Sequence, residues 1–156
     1  MPILSSPQVA PTIPEVIERK IANLGEFITL ARTYIERDGY KREAEGVPIT
    51  EGNTRLPQEL CQIARGAALI AGRSEVNDID YALVRRVAFD SLPPARVAVI
   101  KALLDGKSPH SVGLPKSTID RAMEDLQFAG IISHGLTGAQ LTTTAEHLLN
   151  CANAAR

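Results

Sequence analysis

The sequence predicts a mainly α-helical protein with a small β-hairpin near its carboxyl end. Aromatic residues make up only 4% of the 156 residues and tryptophan is absent. The core must therefore be built from aliphatic side chains, which favours packed helices over a β-sandwich. Apolar residues also recur at helical spacing along most of the chain. The hairpin is predicted where two short extended runs flank a turn that contains glycines.

The chain is long enough for one domain or two small ones, and we place the division at Pro93. Residues 1–13, rich in proline and serine, are predicted to be disordered or a linker. We expect a helical domain over residues 14–92 and a second domain over residues 93–156, with a connection short enough for the two to pack together. The formal net charge is −1, so any DNA contact must come from a local basic patch.

The first predicted helix begins near Pro14, a favourable residue in a first turn, and ends near Asp38-Gly39. Its core-facing residues are Ile17, Ile21, Leu24, Ile28, Ala31 and Ile35. Residues 40–53 are polar and are predicted to form a loop, with room for a short strand at residues 47–50.

Two more helices are predicted before the division. The second helix is capped by Asn53-Thr54, accepts Pro57 only in its first turn and ends at Gly72. Its apolar stripe is Leu56, Leu60, Ile63, Ala64, Ala67, Ile70 and Ala71. The third helix is capped by Asn77-Asp78. Its predicted buried residues are Ile79, Leu83, Val84, Val87 and Ala88.

The last third of the chain begins with a helix from Pro94 that ends at Asp105-Gly106. Its predicted inner face is Val97, Ile100, Leu103 and Leu104. After a polar stretch, a second helix is capped by Ser117 or by Pro115-Lys116 and terminated by Gly130. Its inner face is Ile119, Ala122, Met123 and Leu126.

The predicted hairpin consists of residues 131–134 and 139–143, which flank Gly135 and Gly138. A final helix is expected over residues 144–153. These elements complete a helix, turn, helix, hairpin and helix order in the second domain.

The stretch GLPKSTIDRAMEDLQFAGII, residues 113–132, resembles the turn and recognition helix of winged helix-turn-helix regulators of bacteria and archaea. The resemblance implies a winged helix-turn-helix fold with the hairpin as its wing. The second helix would then enter the major groove of double-stranded DNA by its amino-terminal end. The implied contact residues are Lys116, Ser117, Thr118 and Arg121 on the helix and His134 at the wing. One departure is that only residues 108–112, with Pro109 among them, are available for the helix before the turn, which must be short or degenerate.

The same helix also admits a second interpretation. Asp120, Glu124 and Asp125 outnumber Lys116 and Arg121 on it, and acidic groups near a phosphate backbone weaken binding. Winged helices also serve as protein-interaction modules, so contact with a protein, or a purely structural role, stays open beside DNA contact.

The segment from Asn53 to Pro93 resembles the carboxyl-terminal helical lid of AAA+ ATPases of the magnesium-chelatase and minichromosome-maintenance kind. The matching pieces are Thr54-Arg55, residues 64–71, Gly72-Arg73, Val76 and Asp80. In that family the arginine that opens the helix is the sensor-2 residue, which reaches the phosphates of the nucleotide. Arg55 matches that position, and the alternative is that Arg55 is a solvated first-turn residue.

The sequence predicts no catalytic centre and no cofactor in this chain, with ATP relevant only if the chain is joined to an ATPase core. No phosphate-binding loop of the Walker type is present, because Gly106-Lys107-Ser108 has Lys101 where the first glycine belongs and follows a helix. Cys61 and Cys151 are interpreted as small buried apolar residues in a reducing compartment, and no metal site is predicted.

The function predicted from the sequence is a DNA-binding regulatory or targeting region of an AAA+ ATPase, or one derived from it. The alternative is a protein-interaction module that docks on a partner ATPase or associates with itself, without binding DNA. No membrane partner is expected, since no apolar run reaches spanning length. The protein is expected to be cytoplasmic.

Overall fold

The computed structural model describes residues 9–35, 55–135 and 138–153. Within these ranges the chain is mainly helical and carries a two-stranded antiparallel sheet, as the sequence predicts. The elements in chain order are α1 (Glu15–Arg32), α2 (Arg55–Ile70), α3 (Asp78–Asp90), α4 (Pro94–Leu104), a 3₁₀ helix (Pro109–Val112), α5 (Lys116–Phe128), β1 (Ile132–Gly135), β2 (Gly138–Leu141) and α6 (Thr143–Asn153).

Helix α1 is the centre of the packing, and all of its predicted core residues are buried. Its predicted end near Asp38 was wrong, because the helix ends at Arg32. The buried guanidinium of Arg96 donates hydrogen bonds to the carbonyls of Ala31 (2.7 Å) and Thr33 (3.0 Å). Carbonyls in the last turn need such donors once no further helical turn supplies them. A contact distant in sequence therefore stabilises this helix end.

The junction between α2 and α3 is held by an ion pair and a capping box. Gly72 ends α2 in the left-handed region, with φ 69°. The Asn77 side chain accepts hydrogen bonds from the first turn of α3, and the Asp80 carboxylate accepts one from the N–H of Asn77, which confirms the predicted cap. The same carboxylate accepts two hydrogen bonds from Arg73, each 2.6 Å long.

The predicted inner face of α3 was only partly right. Val84 and Ala88 are buried. The predicted core residues that are instead exposed are Ile79, Leu83 and Val87. Relative to the predicted orientation, α3 is turned about its own axis. Asp80 is anchored at its start, and the buried Tyr81 hydroxyl donates to the carbonyl of Ala152 in α6, so these two contacts decide which side is buried. Burial of this phenol raises the pKa of Tyr81 to about 12.

Similar corrections apply near the ends of two other helices. Ile70 and Ala71 at the end of α2 are exposed, as is Leu104 at the end of α4, although the helical spacing predicts all of them inside. In α4 the fully buried valine is Val99, while Val97 is only partly buried. Spacing alone cannot show where a neighbouring helix stops covering an apolar stripe.

The elements after Pro93 follow the predicted order. The segment before α5 is a single short 3₁₀ helix, so the prediction that it is short or degenerate is confirmed. The hairpin is also confirmed, with Ile132 opposite Leu141 and Gly135 opposite Gly138. The two residues between its strands, 136–137, lie outside the described residues.

A shared apolar core joins the two parts of the chain on either side of Pro93. Helix α1 packs against α2 and α3 and also against α6 near the carboxyl end. Arg96 adds a polar link, since its guanidinium also donates to Asp125 of α5 at 3.0 Å. The region 14–92 and the region 93–156 therefore bury part of their apolar surface against each other.

Parts of several predictions lie outside the described residues: the loop 40–53 with its short strand, the Asn53-Thr54 cap and residues 1–8. From the segment predicted as disordered or a linker, Thr12 is described and is tied to the chain after α2. Its N–H donates to the carbonyl of Ser74 at 3.0 Å, and its carbonyl accepts from Val76 at 2.9 Å.

Two helical glycines allow a matched test of the packing between α1 and α2. A Cβ added at Gly25 would stand 2.6 Å from Cγ of Pro57, whereas one added at Gly66 would meet nothing within 4 Å. We expect Gly25→Ala to lower the free energy of unfolding by about 1–3 kcal/mol through overpacking. Gly66→Ala should raise it by up to about 1 kcal/mol through helix propensity. Urea denaturation measures both, and a stabilising Gly25→Ala would contradict the close approach of these helices.

Candidate nucleic-acid interface

Helix α5 is amphipathic and has one side fixed in the core. Ile119, Ala122 and Leu126 are buried, and the helix packs on α4 and β1. These positions recur at three- and four-residue spacing, so the opposite side of the helix must face solvent. The predicted inner face is confirmed, with Met123 partly buried beside it.

The predicted contact residues on this helix are all exposed. Lys116, Ser117 and Thr118 form its first turn and Arg121 lies one turn further along. Neither Lys116 nor Arg121 forms an ion pair with a described residue. The amino-terminal end of α5 therefore presents two cationic side chains and two hydroxyls together.

The observed start of α5 excludes Ser117, one of the two predicted N-caps. Helix α5 begins at Lys116 with Pro115 as its N-cap residue, and no side chain among the described residues caps it. Ser117 is therefore inside the first turn and is not the cap. The first N–H groups of such a helix lack intrahelical partners and carry the positive end of the helix dipole. An anion such as a phosphate group is favoured at such a position.

The three acidic residues of α5 do not all face solvent. Asp125 is largely buried and pairs with Arg96. Asp120 lies 2.7 Å from Nε2 of His110, which projects from the 3₁₀ helix. Glu124 is exposed. Asp125 is therefore paired within the fold and does not face solvent, which removes one of the three carboxylates from the charge argument against DNA contact.

His134, the residue predicted at the wing, is exposed on β1 opposite Ala139. Strand β1 packs against α5, so the hairpin lies beside the helix that carries the other predicted contacts. The structure thus places the predicted residues on two neighbouring elements of the second half of the chain.

Arg55 opens α2 and has a largely exposed side chain, whose Nε donates to Glu59 at 3.0 Å. Other residues that carry the lid resemblance have structural roles. Gly72 ends a helix, Arg73 pairs with Asp80, and Val76 is buried.

Sequence reasoning missed the importance of Arg96 and His110. Arg96 is only 7% exposed, and the signal that could have identified it is a lone arginine within the apolar run PARVAVIKALL. His110 sits in the polar turn ten positions before its partner Asp120, and no spacing rule predicts that pairing.

The described residues show little that points to metal or thiol chemistry. No group of three His, Cys, Asp or Glu side chains among them is placed to hold a metal ion. Burial raises the pKa of the Cys61 thiol, which lowers its reactivity. The sequence Gly106-Lys107-Ser108 follows α4, as expected. None of the helices in the described part is both long and apolar enough to cross a membrane.

Comparisons with known proteins found no match among protein-family models, curated proteins or solved structures.

Proposed function

We propose that residues 93–156 form a winged helix-turn-helix module that binds double-stranded DNA. The amino-terminal end of α5 would lie in the major groove, with Lys116, Ser117, Thr118 and Arg121 against phosphates or base edges, and the hairpin with His134 would contact the backbone. The protein acts in this proposal as a DNA-binding regulatory or targeting region rather than as an enzyme.

The observation that carries the proposal is the exposed, uncapped and cationic start of α5. The side chains of Lys116 and Arg121 are exposed beside helix N–H groups that no side chain in the described part of the chain caps. Charged side chains and helix amino termini are both common donors to phosphate oxygens. The burial of Asp125 and its ion pair with Arg96 support the same conclusion, because this carboxylate does not face an approaching phosphate group.

A link to an AAA+ ATPase is a further part of the proposal. It rests on the resemblance over residues 53–93 and on the position of Arg55, whose side chain is 81% exposed at the start of α2. In this arrangement the helical part would pack on an ATPase core and the second part would direct it to DNA.

The test is fluorescence anisotropy of a labelled DNA duplex at about 50 and about 200 mM salt. We expect measurable binding at low salt that weakens at high salt. A Lys116→Ala/Arg121→Ala variant should bind at least about tenfold more weakly, and the slope of log K against log salt should decrease by up to about 2, because two phosphate contacts are lost.

An Arg19→Ala/Arg86→Ala variant serves as the matched control, since it removes the same charge from exposed positions in the helical part. This control should bind DNA nearly as well as the original chain. Absence of binding to any duplex at low salt, or equal losses in the two variants, would contradict DNA binding through α5.

The second candidate function is association with another protein through α3. Its exposed apolar residues Ile79, Leu83 and Val87 are four positions apart and share one side of the helix. Ile79 is 75% exposed, which is unusual for so large an apolar residue. If Leu83→Glu changes the oligomeric state in sedimentation experiments and leaves DNA binding intact, α3 is an interface separate from α5.

A further inference from the structure

We propose that the outer edge of β2, with the groove beside it, binds an extended segment of another polypeptide that carries alternating apolar and basic side chains. The segment would add a third strand to the hairpin. This site is separate from the amino-terminal end of α5 and does not depend on DNA binding.

The hydrogen-bond pattern of the hairpin shows which backbone groups face outward. The N–H of Thr142 donates to the carbonyl of Ile131 at 2.9 Å, so this pair lies in the hydrogen-bonded register. Antiparallel pairs alternate between bonded and non-bonded positions. The pair formed by His134 and Ala139 and the pair formed by Ile132 and Leu141 are therefore non-bonded.

The N–H and C=O groups of Ala139 and Leu141 consequently point away from β1. Neither residue makes a backbone hydrogen bond to a described residue beyond the hairpin. In the part of the chain that the structure describes, β2 pairs with β1 alone. A free strand edge of this kind is a template for another extended chain.

A groove of about 650 Å³ runs along this edge. One wall is β2, and the facing wall is the end of α4 with residues 106–109. Its apolar lining comes from Leu103, Leu104, Leu141 and Leu149. Side chains of a strand alternate between two faces, so every second residue of an added strand would face this lining.

The charges at the groove favour a basic occupant. Lys107 lies in the wall, but its ammonium group is 3.2 Å from the Asp105 carboxylate. Glu146 lines the groove from the first turn of α6 and has no ion-pair partner among the described residues. Asp105 lies next to the lining and pairs with Lys107, so Glu146 is the charged lining residue whose charge is not offset by an ion pair among the described residues. A peptide with lysine or arginine between its apolar residues is complementary to this carboxylate.

The test uses a fluorescent seven-residue peptide of alternating valine and lysine, blocked at both ends, and the full chain labelled with ¹⁵N. We expect saturable binding by fluorescence polarisation. In amide hydrogen exchange, the N–H groups of Ala139 and Leu141 should gain protection on binding, while that of Gln140, already bonded within the hairpin, should change little.

Four controls separate strand addition from general attraction. A peptide with all backbone amides N-methylated should lose affinity by about tenfold or more, because the pairing donors are gone. A peptide with glutamate in place of lysine, and the variant Glu146→Lys, should each weaken binding severalfold. The Lys116→Ala/Arg121→Ala variant should keep full peptide binding.

Absence of saturable binding would overturn the proposal, as would equal affinity of the N-methylated peptide or protection that appears elsewhere than at Ala139 and Leu141. The variant Ala139→Pro adds an independent test, because it removes one outward donor from an edge strand and leaves the bonds of the hairpin in place. It should weaken peptide binding, whereas Ala139→Val should not.

Discussion

Replacing Arg96 with methionine is expected to lower the free energy of unfolding by about 3–5 kcal/mol. Arg96 is 7% exposed, and its guanidinium donates to two carbonyls at the end of α1 and to the carboxylate of Asp125. The substitution removes the ion pair of that largely buried carboxylate with Arg96, and it leaves the two carbonyls without these donors. Urea denaturation followed by circular dichroism would measure the loss.

Arg86→Met is the matched control, because the Arg86 side chain is exposed and its ion pair with Asp90 spans 3.8 Å. We expect that change to stay within about 0.5 kcal/mol of the original chain. Arg96→Lys should also be costly, since an ammonium cannot reproduce the geometry of a fork that reaches three acceptors. If Arg96→Met lowered the free energy of unfolding no more than Arg86→Met does, the hydrogen bonds of Arg96 to α1 and α5 would contribute little to stability.

The substitution Asp80→Asn is expected to lower the free energy of unfolding by about 2–4 kcal/mol. The Asp80 carboxylate is buried, accepts two hydrogen bonds from Arg73 and completes the cap of α3. The amide has nearly the same shape but lacks the charge. Asp90→Asn, on the exposed end of the same helix, should change stability by less than about 0.5 kcal/mol.

The ionisation of Asp80 should also make the free energy of unfolding depend on pH. The hydrogen bonds from Arg73 hold the pKa of the Asp80 carboxyl below its ordinary value of 3.8. A carboxyl whose pKa is lower in the folded state stabilises the fold fully above the unfolded pKa, and that stability is lost as pH falls through the folded pKa. We therefore expect stability to fall as the pH drops below about 4. Asp80→Asn should reduce this slope, and an unchanged slope would contradict the assignment.

The sequence predicted those features of the candidate site that depend on residue spacing within a single helix. The exposure of Lys116, Ser117, Thr118 and Arg121 follows from the apolar spacing of one helix. The partners of Asp120 and Asp125 were not predictable, because His110 and Arg96 reach them from other elements. Counting charges along the helix therefore included Asp125, whose side chain is only 15% exposed.

The sequence by itself determined the order of the helices, the Asn77 cap of α3 and the hairpin, because these depend on short-range spacing, capping and turn residues. It also determined the inner side of α1. The tertiary structure decided where α1 ends, which side of α3 is buried and how the two parts of the chain share a core. The reason is physical: these features depend on contacts such as that of Arg96 with Ala31 and that of Tyr81 with Ala152, whose partners are far apart in sequence. Periodicity describes a helix surface but not the neighbour that covers it.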